Sequence, residues 1–429
     1  FEAEGQRLDF GSHRLHPACD PAILADIRTL LAGDLLDRPR HGRIHLRGKW
    51  IHFPLKPADL LLRLDRGFAL GTLGDMARKA LGRRRDEGDS FASVLLANLG
   101  PTICRDFYFP YARKIWGRDP GELSGIQARR RVSAGSFGKL IRKLLSAVPG
   151  LKPPGAGRFY YPRRGFGQIT EAYADAARGL GADFWYGWRV TRLEPPSGPG
   201  RPWCVEASRD GTPRTVEADY VWSTIPITVL ARTMAGGVPD EVRQASGSID
   251  YRAMILIYLT LDQDRFTEYD AHYFPGADVR ITRLSEPKNY AALSEPRGRT
   301  TICAELPCSP DDPWWTMPDA ELGQVVMEDL TRAGIPPAAP PVRVAARRLR
   351  QAYPIYQNGY EVPFGVLDRW AESLPNLLSY GRQGLFAHDN THHALAMAYA
   401  AVECLHDGRF DEARWEEYRK VFATHVVED

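Results

Sequence analysis

Apolar residues alternate with polar residues in some stretches of the chain and recur at helical spacing in others. Runs of apolar, β-branched or aromatic residues predict strands at 254–261, 271–274, 279–284, 300–306 and 342–350. Helical spacing predicts helices at 22–31, 167–180, 319–333 and 391–406. Because the strand runs between 254 and 350 follow one another with one helix among them, we expect a mostly antiparallel sheet with a helix lying on it.

Other stretches give weaker or mixed patterns. Residues 44–53 predict a hairpin, since alternating residues flank Arg47-Gly48-Lys49. Residues 57–146 have a helical pattern broken by glycine and proline. The order strand, helix, strand over 159–193 predicts a parallel α/β layer. A further strand at 376–380 leads through a loop into the 391–406 helix.

These elements predict an α/β fold with two α+β insertions. We expect a discontinuous α/β domain over residues 1–45, 150–245 and 366–429. A helical insertion is predicted over 46–149 and an antiparallel-sheet domain over 246–365. A chain of 429 residues is long enough for two or three domains of ordinary size.

Composition narrows the classes of partner. The hydrophobic share is 44% and the charged share 25%, as in ordinary soluble proteins. A net charge of +3 gives no argument for a nucleic-acid partner. The six cysteines form no CxxC pair, and no apolar run approaches the length of a membrane span. We therefore expect a cytoplasmic protein with reduced thiols, no membrane span and a small-molecule substrate.

The loop 381–390 precedes the last long helix. Asn390 is a favourable N-cap residue, and the free amides and positive dipole end of a helix stabilise an anion. The sequence therefore predicts an anion site at this strand-loop-helix junction. The alternative is a terminal helix that only packs on a sheet.

The same junction allows a metal hypothesis. His388 and His392 are four residues apart, with Asp389 and His393 beside them. However, Asn390 as N-cap places His388 outside the helix, which breaks the shared face that an HxxxH pair needs. We therefore predict no metal site.

Several separated segments resemble a known family. Gly11-Ser12-His13-Arg14-Leu15-His16 is similar to the Gly-x-His-x-x-His stretch of UDP-galactopyranose mutases. Residues 109–117 resemble their Tyr-x-x-Lys-x-Trp-Gly signature, and residues 282–288 their Thr-Arg-x-x-Glu-x-Lys stretch. Tyr353-Pro354 and Gly381-Arg382 match a Tyr-Pro and a Gly-Arg in the same order. The chain thus resembles the FAD-dependent amine oxidase and protoporphyrinogen oxidase superfamily, and most of all its mutase-like members.

The resemblance implies roles for substrate-pocket residues. Tyr111 would stack on a planar group, and Trp116 would line the pocket. Arg283 and Arg382 would hold a diphosphate or the flavin edge, which suits the forked guanidinium. Tyr353 would donate to phosphate. The alternatives are helix packing for the two aromatic rings and a strand-surface charge for Arg283.

The resemblance also implies FAD as cofactor. Gly165 and Gly167 would permit a close backbone approach. At the substrate diphosphate, one of Arg129–Arg131 could add a further phosphate contact. The residues expected to bind the cofactor are Gly11, Ser12, His13, Val190, Gly381, Arg382, Asn390 and Thr391. For His13 and Val190, structural packing is the alternative.

Departures from the family pattern fall in two places. The mutases carry Tyr where His388 stands and Asp where His392 or Asn390 stands, and residues 129–131 lack their Leu-Pro-x-Arg. The family's Gly-x-Gly-x-x-Gly loop does not occur in this sequence. We therefore expect a chain that begins after that first βαβ unit, an incomplete Rossmann-like FAD-binding domain, and weak FAD binding by the chain as given.

Three functions follow from these patterns. We expect an FAD-dependent oxidoreductase acting on a small organic or nucleotide-sugar-like substrate. The first alternative is a mutase-type isomerase, in which reduced FAD is the nucleophile. The second is a metal-binding or other binding protein without flavin.

Overall fold

The structure, a computed structural model, describes residues 1–53, 59, 63, 66–80, 88–131 and 157–427. Contacts divide the chain into two compact units: Phe1–Ala172 with Arg252–Tyr353, and Tyr173–Tyr251 with the segment from Pro354 onward. The junctions near 251 and 353 lie close to the predicted limits of the sheet domain, 246 and 365. The structure groups residues 1–172 with that sheet, and the three-part division stays a prediction.

The first unit is built on a seven-stranded sheet. In spatial order its strands are Arg343–Pro354, Tyr251–Leu261, Thr300–Cys308, Arg283–Ser285, Ala271–Tyr273, Gly42–Leu46 and Lys49–Phe53. Tyr251–Leu261 pairs antiparallel with Thr300–Cys308, as do three other strand pairs of this sheet in the described residues, and Ala271–Tyr273 pairs parallel with Gly42–Leu46. The mostly antiparallel sheet is therefore confirmed, although residues 279–282, predicted as strand, precede the short strand Arg283–Ser285.

One amphipathic helix packs on this sheet, as predicted. Asp319–Arg332 buries Leu322, Val326 and Leu330, which recur every four residues and therefore share one face. They join a core that includes Ile255 of the Tyr251–Leu261 strand. Each fully buried Leu or Val side chain stabilises the fold by about 1.5–3 kcal/mol relative to exposure.

The predicted hairpin is present, with strands Gly42–Leu46 and Lys49–Phe53. Arg47 and Gly48 both have positive φ, 52° and 72°, as a type I′ turn requires. The hairpin adds to the edge of the seven-stranded sheet through Ala271–Tyr273. This partner is distant in sequence, so local pattern gave no sign of it.

The rest of the first unit is mainly helical. Its helices are Pro21–Leu30, Arg66–Ala80, Phe91–Leu99, Pro101–Ile103, the π-helix Cys104–Tyr108, Phe109–Trp116, Gly125–Arg131, Pro287–Tyr290 and the 3₁₀-helix Pro313–Trp315. Its other strands are Glu2–Ala3, Gln6–Arg7, Leu35–Pro39 and Arg158–Pro162. The helical pattern predicted for 57–146 holds in the described residues; positions 57–58, 60–62, 64–65, 81–87 and 132–146 lie outside them.

The predicted parallel layer over 159–193 is wrong. Arg158–Pro162 pairs antiparallel with Leu35–Pro39, and Arg189–Glu194 pairs antiparallel with Trp203–Arg209. The helix between them, Gln168–Gly179, is present as predicted. Residues 189–194 pair with a strand close in sequence, which costs little loop entropy, and periodicity alone does not reveal that choice.

The second unit contains a parallel strand pair and a layer of helices. Its strands are Arg189–Glu194, Trp203–Arg209, Thr212–Ala218, Val221–Ser223, Leu377–Ser379, Leu405–His406 and Arg409–Phe410. Its helices are Ile227–Thr233, Asp240–Ser248, Glu361–Glu372, Gly381–Gly384, Thr391–Glu403 and Glu412–Phe422. Val221–Ser223 runs parallel to Leu377–Ser379, and the α/β fold class is confirmed.

Two global features complete the fold. None of the six cysteines forms a disulfide, and five of them are buried. Among the described residues, no helix combines the length and the apolar character needed to cross a membrane.

Candidate functional site

The segment Gly11–Arg14, called the glycine loop below, is fixed to the sheet by one carboxylate. The Ser12 backbone N–H donates to Glu305 Oε1 at 3.0 Å. Gly11 has φ +98°, and a Cβ at this position would lie 3.3 Å from the same oxygen. Glycine is therefore required here both by the backbone conformation and by the close approach of Glu305.

Arg283 meets the glycine loop at the same oxygen. Its Nε and Nη2 donate to Glu305 Oε1 at 3.0 and 2.8 Å. Burial favours a lower pKa for the Arg283 guanidinium, but Glu305, Tyr353 and Tyr273 outweigh burial and raise that pKa well above its ordinary value. Glu305 thus joins two of the predicted segments, and Tyr353 lies close enough to act on Arg283.

A second guanidinium lies beside this cluster. Arg14 Nη2 donates to the Tyr273 hydroxyl at 2.7 Å, and the Arg14 guanidinium carbon is 5.4 Å from the Phe159 ring centre and 5.3 Å from that of Tyr290. The Tyr290 hydroxyl is hydrogen-bonded to Ser12 Oγ. The glycine loop therefore contains one guanidinium, that of Arg14, and meets a second, that of Arg283, with Tyr273 and Tyr290 beside Arg14.

Two other residues of the 282–288 motif hold the structure together. Lys288 Nζ donates to the carbonyl oxygens of Asp264, Pro296 and Arg299 at 2.8, 2.6 and 3.1 Å. Glu286 is buried and accepts hydrogen bonds from two backbone amides and a threonine hydroxyl. Burial raises the pKa of the Glu286 carboxyl. Of the motif's charged residues, Arg283 is therefore the one placed beside the glycine loop.

Tyr111 and Trp116 lie on the Phe109–Trp116 helix. The Trp116 side chain is buried, with its ring edge-on to Phe91 at 5.5 Å. Tyr111 is half-buried, and its ring centre is 5.9 Å from that of Phe107. These ring partners belong to neighbouring helices of the same unit, which is the packing alternative. The pocket roles of both residues remain predictions.

Lys114, the lysine of the motif on that helix, bonds to two backbone carbonyl oxygens in residues 274–281. Lys114 Nζ donates to the carbonyl oxygens of Phe274 and Ile281 at 2.6 and 3.2 Å. Burial lowers the pKa of Lys114 to about 8. In the 129–131 basic run, Arg129 is ion-paired with Asp89 at 2.8 Å on the surface.

His13 is the exposed residue of the glycine loop. Its side chain is exposed, and its ring stacks on Phe166 with centres 5.7 Å apart and planes at 22°. The turn at 165–167, which contains Phe166, binds the carboxylate of Asp9. Asp9 accepts from the backbone N–H groups of Phe166 and Gly167 at 2.9 and 3.2 Å. A Cβ at Gly165 would lie 3.2 Å from Asp9 Oδ1, whereas one at Gly167 would meet no atom within 4 Å.

In the second unit, Gly381 and Arg382 begin a short helical turn directly after the parallel strand pair. Gly381 has φ +77°, a conformation that favours glycine. The Tyr380 backbone N–H donates to Ser223 O at 3.0 Å, which holds the turn on the neighbouring strand. A Cβ at Gly384 would lie 2.9 Å from Ser379 Oγ, so the loop folds back tightly on the strand end.

Asn390 is the N-cap of Thr391–Glu403, as predicted. It forms a capping box with His393, in which the Asn390 backbone N–H donates to His393 Nδ1 at 3.2 Å. Thr391 is the first helical residue. His388 precedes the helix, is buried, and lies edge-on to Tyr356 at 4.8 Å between ring centres.

Val190 lies on the Arg189–Glu194 strand, beside a register shift. Its side chain is 40% exposed. A buried strand valine was the packing alternative, and this degree of exposure leaves the side chain accessible to a ligand.

Sequence reasoning missed several residues of these clusters. Glu305 was detectable, because it is a charged residue inside an otherwise apolar strand, where such residues are rare unless paired. Arg14 lies inside the segment that carries the family motif, but not at a motif position. Tyr290 and His425 gave no local signal, since each reaches its partners only through the fold.

Comparison with known proteins identifies relatives of the whole chain. The family described as flavin containing amine oxidoreductase matches residues 1–400. No curated protein sequence matches significantly.

Solved structures share the fold at low sequence identity. A reduced UDP-galactopyranose mutase aligns with TM-score 0.77 and 18% identity over 98% of this chain and 89% of that chain. Putrescine oxidase bound to putrescine aligns with TM-score 0.62 and 16% identity, covering 94% of this chain and 89% of that one. Cyclohexylamine oxidase from Brevibacterium oxydans IH-35A aligns with TM-score 0.59 and 15% identity, covering 92% and 88%.

Proposed function

Because this chain belongs to the flavin-containing amine oxidoreductases, we propose that it is an FAD-dependent oxidoreductase acting on a small organic or nucleotide-sugar-like substrate. The observation that carries this proposal is the junction at Glu305. There one carboxylate oxygen fixes both the glycine loop and the guanidinium of Arg283.

The first unit offers features that suit a flavin. Two hydrogen bonds fix the glycine loop, because Ser12 is bonded to Glu305 through its backbone N–H and to Tyr290 through its hydroxyl. His13 and Phe166 present stacked flat rings, and His13 is exposed. Flat aromatic surfaces and fixed backbone groups are the contacts that a planar ring system needs. We assign Gly11, Ser12 and His13 to the cofactor.

The second unit offers features that suit the acceptor groups of a flavin cofactor. The Thr391–Glu403 helix begins at a capped N-terminus, where the dipole favours negative charge. Arg382 follows Gly381 in the loop before it and supplies a cation. We assign Gly381, Arg382, Asn390 and Thr391 to the cofactor, and Val190 to its adenine end.

The chain's own residues have the task of binding and orienting the substrate. When bound, the flavin supplies the electron-accepting chemistry. Arg283 is pre-oriented by Glu305, so it would bind an anionic group of the substrate at little entropic cost. Tyr353, beside Arg283, would donate a hydrogen bond to the same group. Tyr111 and Trp116 are assigned to the flat part of the substrate.

Cofactor extraction and turnover test the proposal. The protein would be expressed from its complete open reading frame, and its released cofactor identified by chromatography against FAD and FMN. We expect a yellow protein that releases FAD and consumes oxygen, or another acceptor, with one of a panel of amines and nucleotide sugars. Retention of no flavin after reconstitution with FAD would contradict the proposal.

A matched pair of variants tests the Glu305 junction. Glu305→Gln removes the charge that orients Arg283. Glu328→Gln, by contrast, changes an exposed carboxylate that pairs with Arg280. We expect substrate KM to rise at least tenfold for Glu305→Gln in the folded holoenzyme and to stay unchanged for Glu328→Gln.

A mutase-type isomerase is the second candidate. The alignment with UDP-galactopyranose mutase covers 98% of this chain, and an arginine beside a tyrosine suits a diphosphate. In that case activity would appear only after reduction with dithionite, and the product would be an isomer of the nucleotide sugar. Oxygen-consuming turnover in the oxidised protein would exclude this candidate.

A further inference from the structure

A buried carboxylate meets two histidines in the second unit. Asp389 Oδ2 accepts from His425 Nδ1 at 3.1 Å, and Asp389 Oδ1 lies 3.9 Å from His393 Nδ1. The side chains of Asp389, His393 and His425 are 1%, 12% and 13% exposed. His425 is 36 residues from Asp389 in sequence, so only the fold brings the three together.

One oxygen of this carboxylate is left without a partner. Asp389 Oδ1 is buried and accepts no hydrogen bond among the described residues. Buried polar atoms are nearly always satisfied, and an unsatisfied carboxylate oxygen costs more than a neutral group. The hydrogen bond with His425 reaches only Oδ2 and leaves Oδ1 unsatisfied. A cation placed between Oδ1 and the two imidazole rings would bind this oxygen and also a ring nitrogen of each histidine.

We propose that Asp389, His393 and His425 form a binding site for one divalent transition-metal ion of the zinc type. One ligand atom from each residue lies within 4.8 Å of the other two. Ligand atoms around a tetrahedral ion with bonds of about 2.1 Å are about 3.4 Å apart. The ligand atoms of this cluster lie within 4.8 Å of one another, so they must move closer together to bind one ion.

Small ring movements complete the geometry. The rings of His393 and His425 are stacked, with centres 4.1 Å apart and planes at 14°. Because a nitrogen lone pair lies in the ring plane, the two rings must tilt toward each other before both bind one ion. His393 Nδ1 accepts the Asn390 backbone N–H, so this nitrogen carries a lone pair and not a proton. Metal binding at His393 Nδ1 would use that lone pair and so replace the capping hydrogen bond. His425 Nδ1 would release its proton on binding the ion.

The donor set selects the type of ion. Two imidazole nitrogens and one carboxylate suit Zn²⁺ or Co²⁺, whereas Mg²⁺ and Ca²⁺ prefer oxygen ligands. The prediction of no metal site considered His388, Asp389, His392 and His393. The proposed site differs from it because it includes His425. The ion would tie the segment after the Glu412–Phe422 helix to the start of the Thr391–Glu403 helix.

Metal titration of the intact protein tests this site without reference to flavin chemistry. The protein would be stripped with a chelator and dialysed against Zn²⁺, and its metal content measured. Co²⁺ would then be titrated as an optical probe. We expect one tightly held Zn²⁺ per chain, visible d–d absorption with Co²⁺, and no retention of Mg²⁺. Thermal stability should rise on adding Zn²⁺ to the stripped protein.

Three variants decide whether these residues are the ligands. His425→Gln and Asp389→Asn should each weaken Zn²⁺ binding at least tenfold and abolish the thermal shift. The control is His406→Gln, an exposed histidine on the Leu405–His406 strand, which should bind like the parent. Circular dichroism in chelator shows that each variant is folded. Metal-free protein after dialysis, or unchanged affinity in a folded His425→Gln variant, would overturn the proposal.

Discussion

At the scale of single residues, Glu305 determines the geometry of the candidate site. Its Oε1 accepts from the Ser12 amide and twice from Arg283. The Glu305 side chain is 5% exposed and that of Arg283 is 20% exposed, so water compensates little for either charge. Removing one charge of such a pair leaves the other buried without compensation.

Glu305→Gln should therefore destabilise the protein by roughly 3 kcal/mol. Urea unfolding of the variant and the parent at neutral pH measures the change. Glu328→Gln is the control, because Glu328 is 45% exposed and forms a surface pair with Arg280. Its loss should cost less than about 1 kcal/mol. Equal effects of the two substitutions would show that the buried pair is not special.

Lys114 gives a prediction about pH. Burial lowers its pKa in the fold to about 8, from the ordinary 10.5. Between pH 8 and 10.5 the unfolded chain therefore binds more protons at this side chain than the fold does, and stability from this group rises with pH. Below pH 8 both states are protonated, and the fold carries the full cost of the buried charge.

The unfolding free energy of the parent minus that of Lys114→Met should therefore increase by about 2 kcal/mol from pH 8 to pH 10. Denaturant unfolding at several pH values measures this difference, and the Met side chain keeps most of the apolar contacts. A difference that does not change with pH would mean that Lys114 ionises in the fold as it does in water.

At the scale of elements, the Phe109–Trp116 helix ends at a glycine, Gly117, that also contacts Arg252. Gly117 closes the helix in the left-handed conformation, with φ +64°. A Cβ at Gly117 would lie 2.7 Å from Arg252 Nη1, and Arg252 Nε donates to Ile115 O at 3.2 Å. The glycine after the tryptophan thus serves the helix end and the docking of Arg252.

Gly117→Ala should destabilise the protein by about 1–2 kcal/mol, because alanine is strained at this positive φ and the Arg252 guanidinium must also shift. Gly247→Ala is the matched control, since Gly247 lies within the Asp240–Ser248 helix and a Cβ there would meet no atom within 4 Å. The control should be neutral or stabilising by up to about 1 kcal/mol. Thermal melts of both variants test this, and a neutral Gly117→Ala would refute the argument.

At the scale of the whole molecule, family membership and fold agree. The family described as flavin containing amine oxidoreductase matches residues 1–400, and three solved structures with low sequence identity align over 92% or more of the chain. A ligand that binds only the folded protein stabilises it in proportion to the logarithm of its concentration.

Adding FAD should therefore raise the melting temperature, and each tenfold increase above Kd should add about 1.4 kcal/mol of stability. FMN, which lacks the adenosine end assigned to Val190, is the control ligand and should act more weakly. A differential scanning titration into the millimolar range measures both. If FMN stabilised the protein as strongly as FAD, the adenine assignment would be wrong.

The sequence by itself determined the elements and the class of fold. The strands of the antiparallel sheet, the Asp319–Arg332 helix and the cap at Asn390 follow from local periodicity and side-chain chemistry. The ordered motifs also indicated the flavin amine oxidase superfamily, which the family match confirms. These properties depend on neighbours within a few residues, or on residue order, and both are present in one sequence.

Only the tertiary structure decided which distant residues meet. Glu305 beneath Ser12, and His425 against Asp389, are separated by 293 and 36 residues. The antiparallel pairing of Arg158–Pro162 with Leu35–Pro39, where a parallel layer was predicted, likewise joins segments that are distant in sequence. Strand pairing and buried charge pairs are selected by the free energy of the whole packed core, and no local pattern of hydrophobic and polar residues contains that sum.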